Sequence, residues 1–77
     1  MTEVLFPPVD DTDPDAEGVL ATWYVADGDR VARGQLIAEV QVAKVDAEVV
    51  APVDGTVRLL VGEDEAVRQG LPIARIE

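Results

Sequence analysis

The chain has 77 residues and one lysine, Lys44, which is its only side-chain amine. Acylation would turn such an amine into a neutral amide, but the usual role of a lone lysine in a β-rich chain is a solvating or edge-protecting charge. Cysteine and histidine are absent, as are serine and asparagine. That inventory removes the usual nucleophile–base pairs and soft-metal ligands, so catalysis by the chain alone is not expected. The carboxylates Asp11, Asp13, Asp15 and Glu17 alternate like the early ligands of a calcium loop. Ala16 stands where such a loop needs glycine and Thr22 where it needs a bidentate glutamate, so the segment reads as a solvated acidic loop with no metal. Asp27, Asp29, Glu63, Asp64 and Glu65 lie among turn signals, where acids suit turn geometry without a ligand. Trp23 and Tyr24 are neighbours on a strand, so they point to opposite sides and at least one covers the core.

The formal net charge is −10. Such a balance repels phosphate backbones and anionic head groups, which disfavours nucleic acid and membrane surfaces and leaves basic protein surfaces as better partners. Arginine supplies every other cation, at positions 30, 33, 58, 68 and 75. With no cysteine there is no disulfide framework. The amino-terminal stretch lacks the basic region and apolar run of a secretory signal, and no segment approaches the ~20 apolar residues of a membrane span. These features lead us to expect a single cytoplasmic domain over residues 1–77, monomeric when isolated.

Valine, isoleucine and leucine recur in short runs between Gly, Asp and Pro, and no window carries a sustained helical apolar period. The pattern predicts an all-β protein with strands at Glu3–Phe6, Val19–Val25, Leu36–Val42, Val45–Val50, Val57–Val61 and Leu71–Ile76. Short extended pieces are expected around Val31 and Val67. Turns are expected at Asp27–Asp29, Arg33–Gly34, Pro52–Gly55, Gly62–Asp64 and Gln69–Gly70.

An internal repeat emerges at an offset of 36. Val25 matches Val61, Val31 matches Val67, Gly34 matches Gly70, Ile37 matches Ile73, Ala38 matches Ala74 and Val40 matches Ile76; the acids Asp27 and Asp29 match Glu63 and Glu65. Each copy reads strand, acidic turn, short strand, glycine turn, strand, and neither buries its apolar face alone. Packed together, the copies form a small sandwich or flattened barrel of approximate two-fold symmetry, with Val25, Val31, Val40, Val61, Val67 and Ile76 in one core. Lys44 belongs to neither copy. Apolar residues alternate on both sides of it, so two strands fold back at Ala43–Lys44 and place the amine at a hairpin tip. Taken alone, a lysine there reads as a solvating or edge-protecting charge.

The segment from Glu17 to Glu77 resembles the lipoyl domains of 2-oxo acid dehydrogenase acyltransferases. The resemblance rests on Glu17-Gly18, Trp23, Val25, Gly28-Asp29, Val31, Gly34, Leu36, Glu39-Val40-Gln41, Lys44, Glu48, Pro52, Gly55 and Val57. It implies a flattened β-barrel of two four-stranded antiparallel sheets, with a modified lysine on a protruding hairpin at the end opposite the termini. It further implies lipoate bound covalently to Lys44, with Gln41, Val42, Ala43, Val45 and Asp46 as flanking recognition residues. The implied partners are a lipoate ligase and the dehydrogenase and acyltransferase components of a multienzyme complex.

Three departures mark the chain. Lipoyl domains usually carry Asp-Lys-Ala at the tip, where this one has Ala43-Lys44-Val45. That apolar setting is also similar to biotinyl domains, which keeps biotin and a biotin ligase as the alternative, with an unmodified lipoyl-like interaction module as a further one. Trp23 and the Glu39-Val40-Gln41 run favour lipoyl. The loop at 9–15 is acidic where the family is glycine-rich, and the stretch from Gly55 to Val61 is one residue shorter than the family pattern, as expected if a bulge is lost or moved.

Overall fold

A computed structural model describes residues 1–9, 12–13 and 16–77. Eight strands form in chain order: β1 (Thr2–Leu5), β2 (Glu17–Trp23), β3 (Arg30–Val31), β4 (Leu36–Val42), β5 (Val45–Val50), β6 (Gly55–Leu59), β7 (Ala66–Arg68) and β8 (Pro72–Ile76). β4 and β5 have the bounds expected from the sequence. The others differ by a few residues at their ends. β2, for example, stops at Trp23 where the expected strand runs to Val25, because the chain turns toward Gly28, although the Tyr24 N–H still donates to the Ile37 carbonyl (2.9 Å).

The strands make two four-stranded sheets, β1-β8-β6-β3 and β5-β4-β2-β7, and every pairing is antiparallel. No helix is present among the described residues. Inward-facing residues of both sheets build one core, and Phe6, Leu20, Ile37, Val40, Val57, Ile73 and Ile76 are its largest fully buried side chains. Val31 and Val67 are buried in it, and Val25 and Val61 pack on its margin. All six core residues named from the repeat therefore belong to it.

The two-fold repeat extends to individual hydrogen bonds. Asp29 accepts from the Ala26 N–H (2.8 Å), and Glu65, 36 residues later, accepts from the Gly62 N–H (2.6 Å). Asp27 accepts from the Leu59 N–H (2.8 Å), and Glu63 accepts from the Trp23 N–H (2.9 Å). The acids of these turns thus cap backbone donors, as turn chemistry requires. Asp64 has φ 66°, matching Gly28 at φ 91°.

The repeat has a phase shift that the offset of 36 hides. The β2–β4 register slips between Leu20 and Thr22, leaving Ala21 as an extra residue, whereas Val57, Arg58 and Leu59 pair with Ile76, Arg75 and Ala74 without interruption. A bulge in one copy and not the other raises the offset to 37 before Ala21. Gly18 then aligns with Gly55, and both are buried at the same place. A Cβ on Gly18 would lie 2.7 Å from the Gln41 carbonyl oxygen and would also meet the Phe6 ring; a Cβ on Gly55 would lie 2.5 Å from the Glu77 carbonyl oxygen. Each glycine lets a central strand crowd its neighbour where any side chain would collide. Val9, Asp13 and Ala16 come from the 9–15 loop and its flank, whose Asp10, Asp11, Pro14 and Asp15 lie outside the described residues. Nearby, the buried Gln69 donates its amide to the Asp13 carbonyl (3.0 Å), tying the described part of this segment to the glycine turn after β7.

Gly18→Ala should lower stability by about 1–3 kcal/mol, the usual cost of forcing added atoms into a packed site. The check is urea unfolding, with the midpoint falling and the slope unchanged.

Candidate functional site

The hairpin of β4 and β5 pairs Glu39 with Glu48, Val40 with Ala47, Gln41 with Asp46 and Val42 with Val45, leaving Ala43 and Lys44 as a two-residue turn. This arrangement brings together every flanking residue expected from the sequence. Val42 is 3% exposed and faces the core, where a Cβ on Gly18 would meet its Cγ2 atom. The hairpin root is therefore packed, while Gln41, Ala43, Lys44, Val45 and Asp46 are exposed. Among the described residues no hydrogen bond or ion pair engages the Lys44 amine. A free amine on a short, two-sided hairpin has a defined position and is open to an approaching enzyme.

The turn backbone carries a cost that the sequence pattern did not reveal. Ala43 has φ 55°. The left-handed region disfavours side chains with a Cβ, and Gly, Asn and Asp tolerate it best. A two-residue hairpin with Ala at its first position was a detectable signal, because such turns ordinarily take Asn, Asp or Gly.

Of the two adjacent aromatics, Trp23 packs against the core and donates its indole N–H to the Val61 carbonyl (3.0 Å). Tyr24 is half-exposed, and its hydroxyl donates to Glu39 Oε2 (3.0 Å) on the outer face of the hairpin sheet. That hydrogen bond, with smaller contributions from desolvation and from the charges of Glu39 and Glu48, raises the Tyr24 pKa above its ordinary value. Among the described residues no group of three or more acidic side chains comes together as a metal site. Asp11 and Asp15, two of the four alternating carboxylates, lie outside those residues, and Glu17 pairs with Arg68 across the sheet.

A family model for biotin and lipoyl attachment, described as "Biotin-requiring enzyme", matches residues 13–76. The chain belongs to the biotin/lipoyl family. As a biotin/lipoyl domain it is 44% identical over 62 residues to the lipoamide acyltransferase component of the branched-chain alpha-keto acid dehydrogenase complex of Bacillus subtilis, a match covering 79% of this chain and 15% of that protein. It is 44% identical over 61 residues to the dihydrolipoyllysine-residue acetyltransferase component of the pyruvate dehydrogenase complex of Corynebacterium glutamicum, covering 78% of this chain and 9% of that one. The chain therefore spans a small part of the length of these relatives. Among solved structures, the lipoyl domain of the 2-oxoglutarate dehydrogenase complex of Azotobacter vinelandii superposes with a TM-score of 0.78 at 27% identity, covering 100% of this chain and 96% of that one.

Two measurements on this biotin/lipoyl domain test the local geometry. Ala43→Gly should raise stability by about 0.5–1 kcal/mol, because the relief of a left-handed alanine exceeds the added freedom of the unfolded chain. In a domain of this size that gain moves the melting temperature up by roughly 2–8 °C, read by differential scanning calorimetry. The single tyrosine should titrate above pH 10.0, with Glu39→Gln moving the midpoint of the tyrosinate absorbance back down. The protonated form is the one favoured by folding. The Tyr24 contribution to stability is therefore complete below the unfolded pKa and is lost as pH rises through the folded one.

Proposed function

We propose that this domain carries a lipoyl group in amide linkage on Lys44 and presents it to the enzymes of a 2-oxo acid dehydrogenase complex. The observation that carries the reading is the position of the only side-chain amine, exposed and unengaged on the two-residue turn of a packed hairpin. A lipoate ligase would acylate Nζ, turning a cation into a neutral amide and taking the formal balance from −10 to −11, one positive charge fewer. The bound lipoyl group would supply a disulfide–dithiol couple able to carry acyl groups. The domain's own residues would hold the attachment point fixed. Val42, at the root of the turn, is buried in the core, so motion of the arm would be that of the arm and not of its base. A tethered arm keeps its reactive end at high effective concentration near successive active sites. The relatives named as acyltransferase components of dehydrogenase complexes support dehydrogenase and acyltransferase partners for this domain.

A biotin carrier is the second reading, favoured by the apolar Val42 and Val45 on either side of the turn. Intact mass of the protein from its native host separates the two. One adduct on Lys44 with the mass of lipoyl is expected; streptavidin-reactive protein overturns the cofactor and leaves the carrier, and an unmodified product leaves an interaction module. Lys44→Arg should change stability by less than about 0.5 kcal/mol and abolish modification, because a solvent-facing side chain adds little packing and guanidinium does not form the amide. Modification of that variant in the presence of a lipoate ligase would remove Lys44 as the acceptor.

A further inference from the structure

β1 and β5 are edge strands, one in each sheet. They are also counterparts under the internal symmetry: the Phe6 N–H donates to the Leu71 carbonyl as the Ala51 N–H donates to the Gln35 carbonyl, 36 residues earlier. Glu3, Leu5 and Pro7 therefore correspond to Glu48, Val50 and Pro52. All six line one groove of about 280 Å³, which straddles the symmetry axis at the seam between the two edges. Leu5 and Val50 are 48% and 49% exposed, so the groove carries apolar side chains that the fold leaves uncovered.

The two rims differ in one respect. Across β1, the residue opposite Glu3 is Arg75; across β5, the residue opposite Glu48 is Glu39, the counterpart of Arg75 at an offset of 36. Like charges placed directly across a strand pair are unfavourable, and nothing in the fold demands them, since the equivalent position in the other sheet accepts arginine. Tyr24 already donates to Glu39, so Glu48, on the groove wall, is the member of the pair open to a cation brought from outside.

We propose that this groove docks an extended segment of a partner protein, with an apolar side chain between Leu5 and Val50 and a basic side chain against Glu48. The volume lies below the ~300–1,000 Å³ of small-molecule pockets, and an edge strand on either side suits an extended backbone. A second copy of the chain is the wrong occupant. Its groove would bring further Glu3 and Glu48 carboxylates against the same rims, on a second molecule of net charge −10. The inference goes beyond the carrier reading and does not require Lys44 to be modified.

The test is a titration of the ¹⁵N-labelled Lys44→Arg protein with a short end-capped peptide of alternating valine and arginine, followed by amide chemical shifts. Using that background separates groove binding from any chemistry at the lysine. Saturable shifts at Leu5, Glu48 and Val50 are expected. Affinity should fall about tenfold with Glu48→Gln, less with Glu3→Gln, and about tenfold when glutamine replaces arginine in the peptide. Glu48→Gln removes one of two opposed charges, so dispersed spectra are expected for the variant itself. Shifts centred on the Asp27–Asp29 and Glu63–Glu65 turns, equal binding by the glutamine peptide, or no saturable binding would each overturn the proposal. Concentration-dependent shifts in the groove without peptide would overturn it in favour of self-association.

Discussion

The structure depends on an exchange of strands between its two repeats. β3 follows β2 in the first copy yet pairs with β6 of the second, and β7 follows β6 yet pairs with β2 of the first. Neither sheet can be completed by one copy, so neither apolar face can be covered until both are in place. The turns before β3 and β7 carry the crossing, and their acids fasten it: Asp27 reaches the backbone of β6 and Glu63 the backbone of β2. Hydrogen bonds to charged groups are among the stronger ones, which gives short polar turns a role that a small hydrophobic core would otherwise fill alone. The acidity of the chain is in part a by-product of this arrangement, with Arg58 set between Asp27 and Glu77 as a local counter-charge.

Much of this was legible in the sequence because the determinants are periodic. Val31, Ile37, Val40 and their counterparts Val67, Ile73 and Ile76 repeat with the chain, and periodic apolar positions report the core directly. The exchange of β3 and β7 was not legible, since each is two or three residues long and carries no pairing information of its own. The equivalence of Gly18 and Gly55 was hidden by one bulged residue, Ala21, which shifts the alignment by one. Glycine at such a place reports a close approach of another backbone, and only the fold says which one.

At the candidate site the position of Lys44 was read directly from the sequence, while the strain in its turn was signalled only by alanine in a two-residue loop. Alternation on both sides of Ala43–Lys44 locates a hairpin, because strand period and register leave those two residues for the turn. The positive φ of Ala43 follows from the need to match the twist of the flanking strands over two residues, a constraint that acts on the loop whatever its sequence. An alanine there shows that the turn geometry is imposed by the packed strands below it, with Val42 in the core.

The place of the lysine also follows from duplication. Two copies in one chain need a single connection, and here β4 of the first copy turns back into β5, the counterpart of β1. In the other sheet the equivalent strands, β8 and β1, pair Thr2 with Ile76 and are joined by no turn, since β1 is the first strand in order and β8 the last. The symmetry therefore relates a closed hairpin in one sheet to a strand pair with no connecting turn in the other. Acidic turns, core and glycine contacts occur in both copies, as structural roles must when both halves solve the same packing problem. Lys44, on the connection, has no counterpart, so the symmetry that builds the barrel gives no structural reason for an amine there.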